Sequence, residues 1–153
     1  MLRKGLIGKG IGFASGYTSS NAAGTAYALT NTPAALDFGT TDPSIVIPQA
    51  GTWLILARAR LDNNAATFAA VRTATLKLRR TNNTAADLTN GSVALLTQII
   101  TALTFSMPTI SWWTIYTTAN SDDIIKIFGD ISVVPTAGSL DAVEASIIAV
   151  RIG

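Results

Sequence analysis

The sequence predicts an all-β protein, an antiparallel β-sandwich of the jelly-roll kind, and three observations carry that prediction. The residues that usually cover exposed helix faces are nearly missing, for the 153-residue chain has one glutamate, Glu144, and few lysines. Thr, Val, Ile and aromatic residues dominate instead, in short runs. Gly, Pro, Asn and Asp punctuate those runs, and no helical stretch alternates with them.

Taken in chain order, residues 1–24 stand apart. They are glycine-rich and carry Arg3, Lys4 and Lys9 but no acidic residue. Glycine and serine at this density oppose packed regular structure. Leu2, Leu6, Ile7, Ile11, Phe13 and Tyr17 are nevertheless more apolar than a solvated tail requires. The bland reading is a floppy terminus; the expected one is a docking arm that orders against a partner.

The sandwich is expected over residues 25–153. Its strands are predicted at 25–31, 35–38, 44–47, 52–62, 73–80, 93–105, 110–118, 124–134 and 142–152. The run at 93–105 is apolar enough to be read as a helix as well. Turn chemistry separates these segments at Asp42-Pro43, Pro48 to Gly51, Asn63-Asn64, Asn82-Asn83, Asn90-Gly91, Asn120 to Asp122 and Pro135 to Gly138.

Two strands say more. In 52–62 one face carries Trp53, Ile55, Ala57, Ala59 and Leu61, and the other carries Leu54 and Leu56, then Arg58 and Arg60. Such a strand is covered on both faces over its first half and on one face over its second. In 142–152 the order is reversed, with Glu144 and Ser146 giving way to Ile148, Val150 and Ile152 on one face. Val143, Ala145, Ile147 and Ala149 are expected on the opposite face. One apolar face of this strand belongs to the core, so the other predicts a subunit interface.

Composition closes many functions. With no His and no Cys there is no imidazole base, no thiolate nucleophile, no disulfide and no ordinary zinc or iron–sulfur site. No metal and no cofactor are expected. Charged residues make up 13% of the chain, against about 25% in an average soluble domain. That leaves apolar surface to be hidden between subunits. The net charge of +2 is not the concentrated basic surface that nucleic acid needs. Glycines interrupt any apolar core of a secretory signal near the start, and no stretch is long and apolar enough to span a bilayer. A soluble protein made in the cytoplasm, binding neither membrane nor nucleic acid, is expected.

Several local patterns have a functional and a bland reading. Gly5 to Gly10 lacks the spacing, the following Ser/Thr and the preceding strand of a phosphate loop. Arg58 and Arg60, with Lys77, Arg79 and Arg80, would form a basic patch if their strands were neighbours, and otherwise are the solvated faces of two strands. Asp122 and Asp123 point to opposite sides if extended, which suits capping better than paired-carboxylate chemistry or calcium binding. Asp141 and Glu144 likewise fall on opposite faces of a regular strand. Trp112 and Trp113 also point opposite ways. Trp112, with Tyr116 on its face, is the candidate interface or ligand platform. Asn82-Asn83-Thr84 and Asn90-Gly91-Ser92 match glycosylation acceptors but read as turns.

The segment Ser44-Ile-Val-Ile-Pro-Gln-Ala-Gly51-Thr-Trp53-Leu-Ile-Leu-Ala resembles the strand–turn–strand signature of the jelly roll shared by tumour necrosis factor and the complement globular head. The ending from Asp141 to Ile152 is similar to that family's final core strand. Versions with this Thr- and Asn-rich composition, no Cys and no signal look most like bacteriophage virion proteins. The resemblance implies a compact homotrimer with inner sheets around the axis, and no particular activity. The expected function is that of a non-enzymatic capsid decoration or cement protein, docked on the major capsid protein through residues 1–24. The alternative is a receptor- or glycan-binding tip of a tail fibre or spike.

Overall fold

The structure, a computed structural model, describes residues 17–39, 41–97 and 102–153. These residues form ten strands: β1 (Tyr17–Ala28), β2 (Ala34–Ala35), β3 (Ser44–Val46), β4 (Gly51–Thr67), β5 (Arg72–Arg80), β6 (Ala86–Thr97), β7 (Thr104–Ser106), β8 (Ile110–Thr118), β9 (Ile124–Ile131) and β10 (Ala137–Arg151). All pairings are antiparallel, and no helix occurs among the described residues.

The strands make two five-stranded sheets. The first runs β1-β10-β4, and the far edge of β4 is shared by β8 along Gly51 to Ala59 and by β7 along Asp62 to Asn64. The second runs β9-β5-β6, with β2 and β3 sharing the other edge of β9. Alternation decides what lies between the sheets. Trp53, Ile55, Leu61, Leu76, Leu78, Ile125, Ile127, Ile131 and Ile147 are fully buried there. Hydrogen bonds close the sandwich along both margins. Trp112 Nε1 donates to Gly91 O at 3.0 Å and Thr114 Oγ1 to Thr89 O at 2.6 Å, joining β8 to β6. On the other side Thr25 N donates to Phe38 O at 3.2 Å and Ser20 Oγ to Asp42 O at 3.1 Å.

The sandwich begins earlier than residue 25. Residues 17–24, expected in the arm, belong to β1 and pair with β10 from Tyr17↔Val150 onward. Small residues such as Ser19, Ser20 and Ala22 carry little β signal of their own, and the exposed ladder of β10 supplies the partner that orders them. The predicted 93–105 strand divides, with β6 ending at Thr97 and β7 starting at Thr104.

Two predicted turns prove to be irregularities inside long strands. At Asn63-Asn64 the chain runs on to Thr67, with Ala65 at φ 53° and Ser139 opposed by both Asn64 and Ala65. At Asn90-Gly91 strand β6 bulges, with Asn90 at φ 55°, and the register slips opposite Lys77 and Arg79. A positive φ serves a bulge as well as it serves a turn. A third irregularity, at Val143, shifts the register of β10 on β4 between Ala142 and Glu144. It changes the face on which every earlier side chain of β10 lies. Leu140 and Ala142 point into the core before it, and Ala145, Ile147 and Ala149 after it, while Val143 itself is half-buried.

Candidate assembly interface

The outer face of the β1-β10-β4-β8 sheet is assembled in cross-strand rows. Val150, Leu54 and Ile115 form one row, and Ile148, Leu56 and Trp113 the next. Ser146, Arg58 and Ser111 follow, and then Glu144 with Arg60. Trp113 is 61% exposed, Ile115 55% and Leu56 42%. Beside them lies a groove of about 460 Å³ lined by Leu56, Arg58, Ser111, Trp113, Ser146 and Ile148, among others.

β8 shows how unusual this face is. Its inward side chains include Thr114 and Thr118, both buried, whereas its outward ones include Trp113 and Ile115. A strand of a lone sandwich places its threonines outside and its large apolar groups inside. Here the inner threonines are satisfied by hydrogen bonds, Thr114 to Thr89 O and Thr118 to the Asp123 carboxylate, and the apolar groups stand in solvent.

This placement corrects the expected platform. Trp112 is 7% exposed, packs in the core and spends its indole N–H on Gly91. Tyr116 shares that inner side and donates to Asp123 Oδ2 at 2.5 Å. The exposed platform is Trp113 with Ile115. The doublet Trp112-Trp113 signalled that one tryptophan had to face outward, and the side-chain bonds from β8 to β6 select which. The other expected site residues, Leu2, Arg3, Lys4, Leu6, Ile7, Lys9, Ile11 and Phe13, lie outside the described residues.

The charges on the outer face are distributed unevenly. Arg58 Nε donates to Ser146 Oγ at 2.8 Å and has no carboxylate partner among the described residues. Arg60 Nε lies 3.6 Å from Asp62 Oδ1. Asp141 and Glu144 were expected on opposite faces, but the bulge at Val143 puts both on this one, opposite Asp62 and Arg60 respectively. The two basic strands do not make one patch either. β4 and β5 lie in different sheets, and Lys77 and Arg79 on the second sheet both bind Asp87, at 2.9 and 3.2 Å.

Asp123 is the main buried polar centre. Its side chain is fully buried and accepts hydrogen bonds from Tyr116 and Thr118 at 2.5 Å, Asn83 at 3.1 Å and Asn120 at 3.2 Å, with Arg80 Nη1 at 3.8 Å. Burial pushes its pKa up, but the four hydrogen bonds outweigh burial and leave it below its ordinary value. Burial, and then donation to this carboxylate, push the Tyr116 hydroxyl up. Every donor around Asp123 is a structural partner, so the centre ties the 80–84 loop to β8 and β9. Asp122 is exposed and accepts from Asn83 at 2.8 Å. Among the described residues no His, Cys, Asp or Glu cluster could hold a metal ion.

These features define a jelly-roll sandwich with one unfinished face. No protein-family model matches the chain, and no curated protein matches its sequence. Solved structures do match its fold. The globular domain of the zebrafish complement 1qA protein aligns with a TM-score of 0.52 and 11% identity, over 90% of this chain and 97% of its own. The Eiger TNF from S. frugiperda aligns with a TM-score of 0.50 and 14% identity, over 92% of this chain and 87% of its own. A chain in the structure of infectious bursal disease virus, Gx strain, aligns with a TM-score of 0.51 and 12% identity, over 90% of this chain but 32% of its own. At these identities the shared property is the jelly-roll fold.

Proposed function

We propose that the protein is a non-enzymatic structural component of a virus particle, a homotrimer whose subunits meet through the outer face of the β1-β10-β4-β8 sheet. The observation that carries this reading is the stripe of Leu54, Leu56, Trp113, Ile115, Ile148 and Val150, apolar side chains facing outward on a sheet whose inner face is already packed. Contiguous apolar surface of this kind marks an interface, and closed symmetry is the usual way to bury one patch on every copy. The likeness to a chain of a virus structure favours a particle component.

In this reading the protein is made in the host cytoplasm and decorates the capsid. Residues ahead of Tyr17 serve as the docking arm, shorter than the 24 residues read from composition. Light scattering on size-exclusion fractions tests the assembly and should give a mass near three chains; a monomer at all concentrations overturns it. Removing residues 1–16 should leave the trimer folded and abolish attachment to capsids, and retained attachment overturns the arm.

Trp113 beside its groove favours a second reading, glycan binding at the tip of a tail fibre or spike. Aromatic faces stack on sugars, and Arg58, Ser111 and Ser146 supply polar contacts. That reading requires a saturable glycan whose binding is lost in Trp113→Ala while the mass is unchanged.

A further inference from the structure

The apolar rows of the outer sheet face account for half of it, and the other half carries charge. Glu144, the chain's single glutamate, stands there half-buried and makes no hydrogen bond or ion pair with any described residue. Arg58, one row away and exposed, has only the Ser146 hydroxyl among the described residues. Both line a recess of about 360 Å³ that also takes in Asn21 and Thr41. By contrast, Lys77, Arg79 and Lys126 on the outside of the second sheet each reach a carboxylate, Lys126 that of Asp42 at 3.0 Å.

Covering this face would strip water from a guanidinium and a carboxylate that have no ion-pair partner among the described residues, which is costly unless each is paired in the assembly. Arg58 and Glu144, neither with an ion-pair partner among the described residues, can complement each other between two copies of this face. Glu144 shares this face with Ser146 and Ile148 by regular alternation, and the bulge at Val143 adds the buried Asp141 to it.

We propose that Arg58 of one copy pairs with Glu144 of the next, so that the partner is a second copy of this chain and the ion pair fixes the register in which the apolar rows meet. This rests on the assembly reading above. The apolar stripe supplies the attraction. The charge pair selects one alignment of the two faces, because sliding them by a row sets unpaired charge against apolar surface.

A charge-swap series tests the pair, read as the protomer concentration at half-dissociation by sedimentation. Arg58→Glu and Glu144→Arg should each raise it roughly tenfold or more, and the double swap should bring it back to within about threefold of the parent. Arg58→Gln and Glu144→Gln, which remove the charge but keep a polar side chain, should each weaken association as well, and thermal unfolding confirms that each variant folds. If the single swaps leave association unchanged, or the double swap is at least as weak as either single one, the pairing is wrong. Trp113→Asp separates this failure from failure of the interface itself. A trimer that Trp113→Asp dissociates but the swaps do not keeps the interface and loses the ion pair. A trimer that neither affects loses both, and so does a parent chain that is monomeric throughout.

Discussion

Replacing Asp123 with alanine should be among the most damaging changes outside the apolar core. The mutation removes the acceptor shared by Tyr116, Thr118, Asn83 and Asn120 and leaves the Arg80 guanidinium, 20% exposed, without its counter-charge. Hydrogen bonds to a charged group contribute about 1.5–3 kcal/mol each, but they are not additive. Breaking a buried charge network by deleting one member costs about 3–5 kcal/mol, which is the loss expected at pH 7. In a domain of this size that is a fall in Tm of roughly 6–20 °C. The folded-state pKa of Asp123 is depressed, so its stabilisation is complete above the ordinary carboxylate value and fades as pH falls through the folded value. Wild type and Asp123→Ala should therefore converge in acid. The assay is urea unfolding followed by tryptophan fluorescence at pH 7 and at pH 3, at one fixed protomer concentration because assembly adds to apparent stability. A loss below about 1 kcal/mol at pH 7, or the same loss at both pH values, refutes the argument.

Other substitutions separate the core from the unfinished face. Trp112→Ala should cost about 3–5 kcal/mol of stability, because a buried ring and its bond to Gly91 are lost, whereas Trp113→Ala should change the oligomer's mass and leave protomer folding nearly intact; denaturation and light scattering on the two variants distinguish them. Gly129→Val should destabilise by about 1–3 kcal/mol or more in thermal melts, since even a Cβ there would stand 2.7 Å from Leu29 Cδ2 and 3.0 Å from Leu36 Cδ2. Gly138→Ala should also lower Tm: Gly138 has φ +66°, and a Cβ there would meet the carbonyl carbon of Ala65 at 2.3 Å.

Much of the sandwich was legible because its strands bury one face or two. The alternation in β4 separated Trp53, Ile55 and Leu61 from Leu54, Leu56, Arg58 and Arg60, and the structure places them on those two sides. β8 runs from Ile110 to Thr118, the bounds read from sequence. What escaped the sequence depends on partners distant along the chain. Nothing in Ser19-Ser20-Asn21 distinguishes an edge strand from a linker until the ladder of β10 lies beside it. The inward turn of Thr114 and Thr118, and hence the exposure of Trp113, follows from acceptors at Thr89 and Asp123. The bulge at Val143 has no glycine or asparagine to announce it, so the shared face of Asp141 and Glu144 could be seen only from the register.

The antiparallel pairing of β1 with β10 also has a mechanical consequence. Tyr17 lies against Val150 and Ala28 against Asp141, so Tyr17 stands at the same end where Gly153 is held by Thr52. Tension applied to residues before Tyr17, in line with the strand, pulls β1 lengthwise past its neighbour. The backbone bonds of the ladder then bear the load together in shear instead of opening one after another. A tether joined at this point would draw on the strongest direction of the sheet.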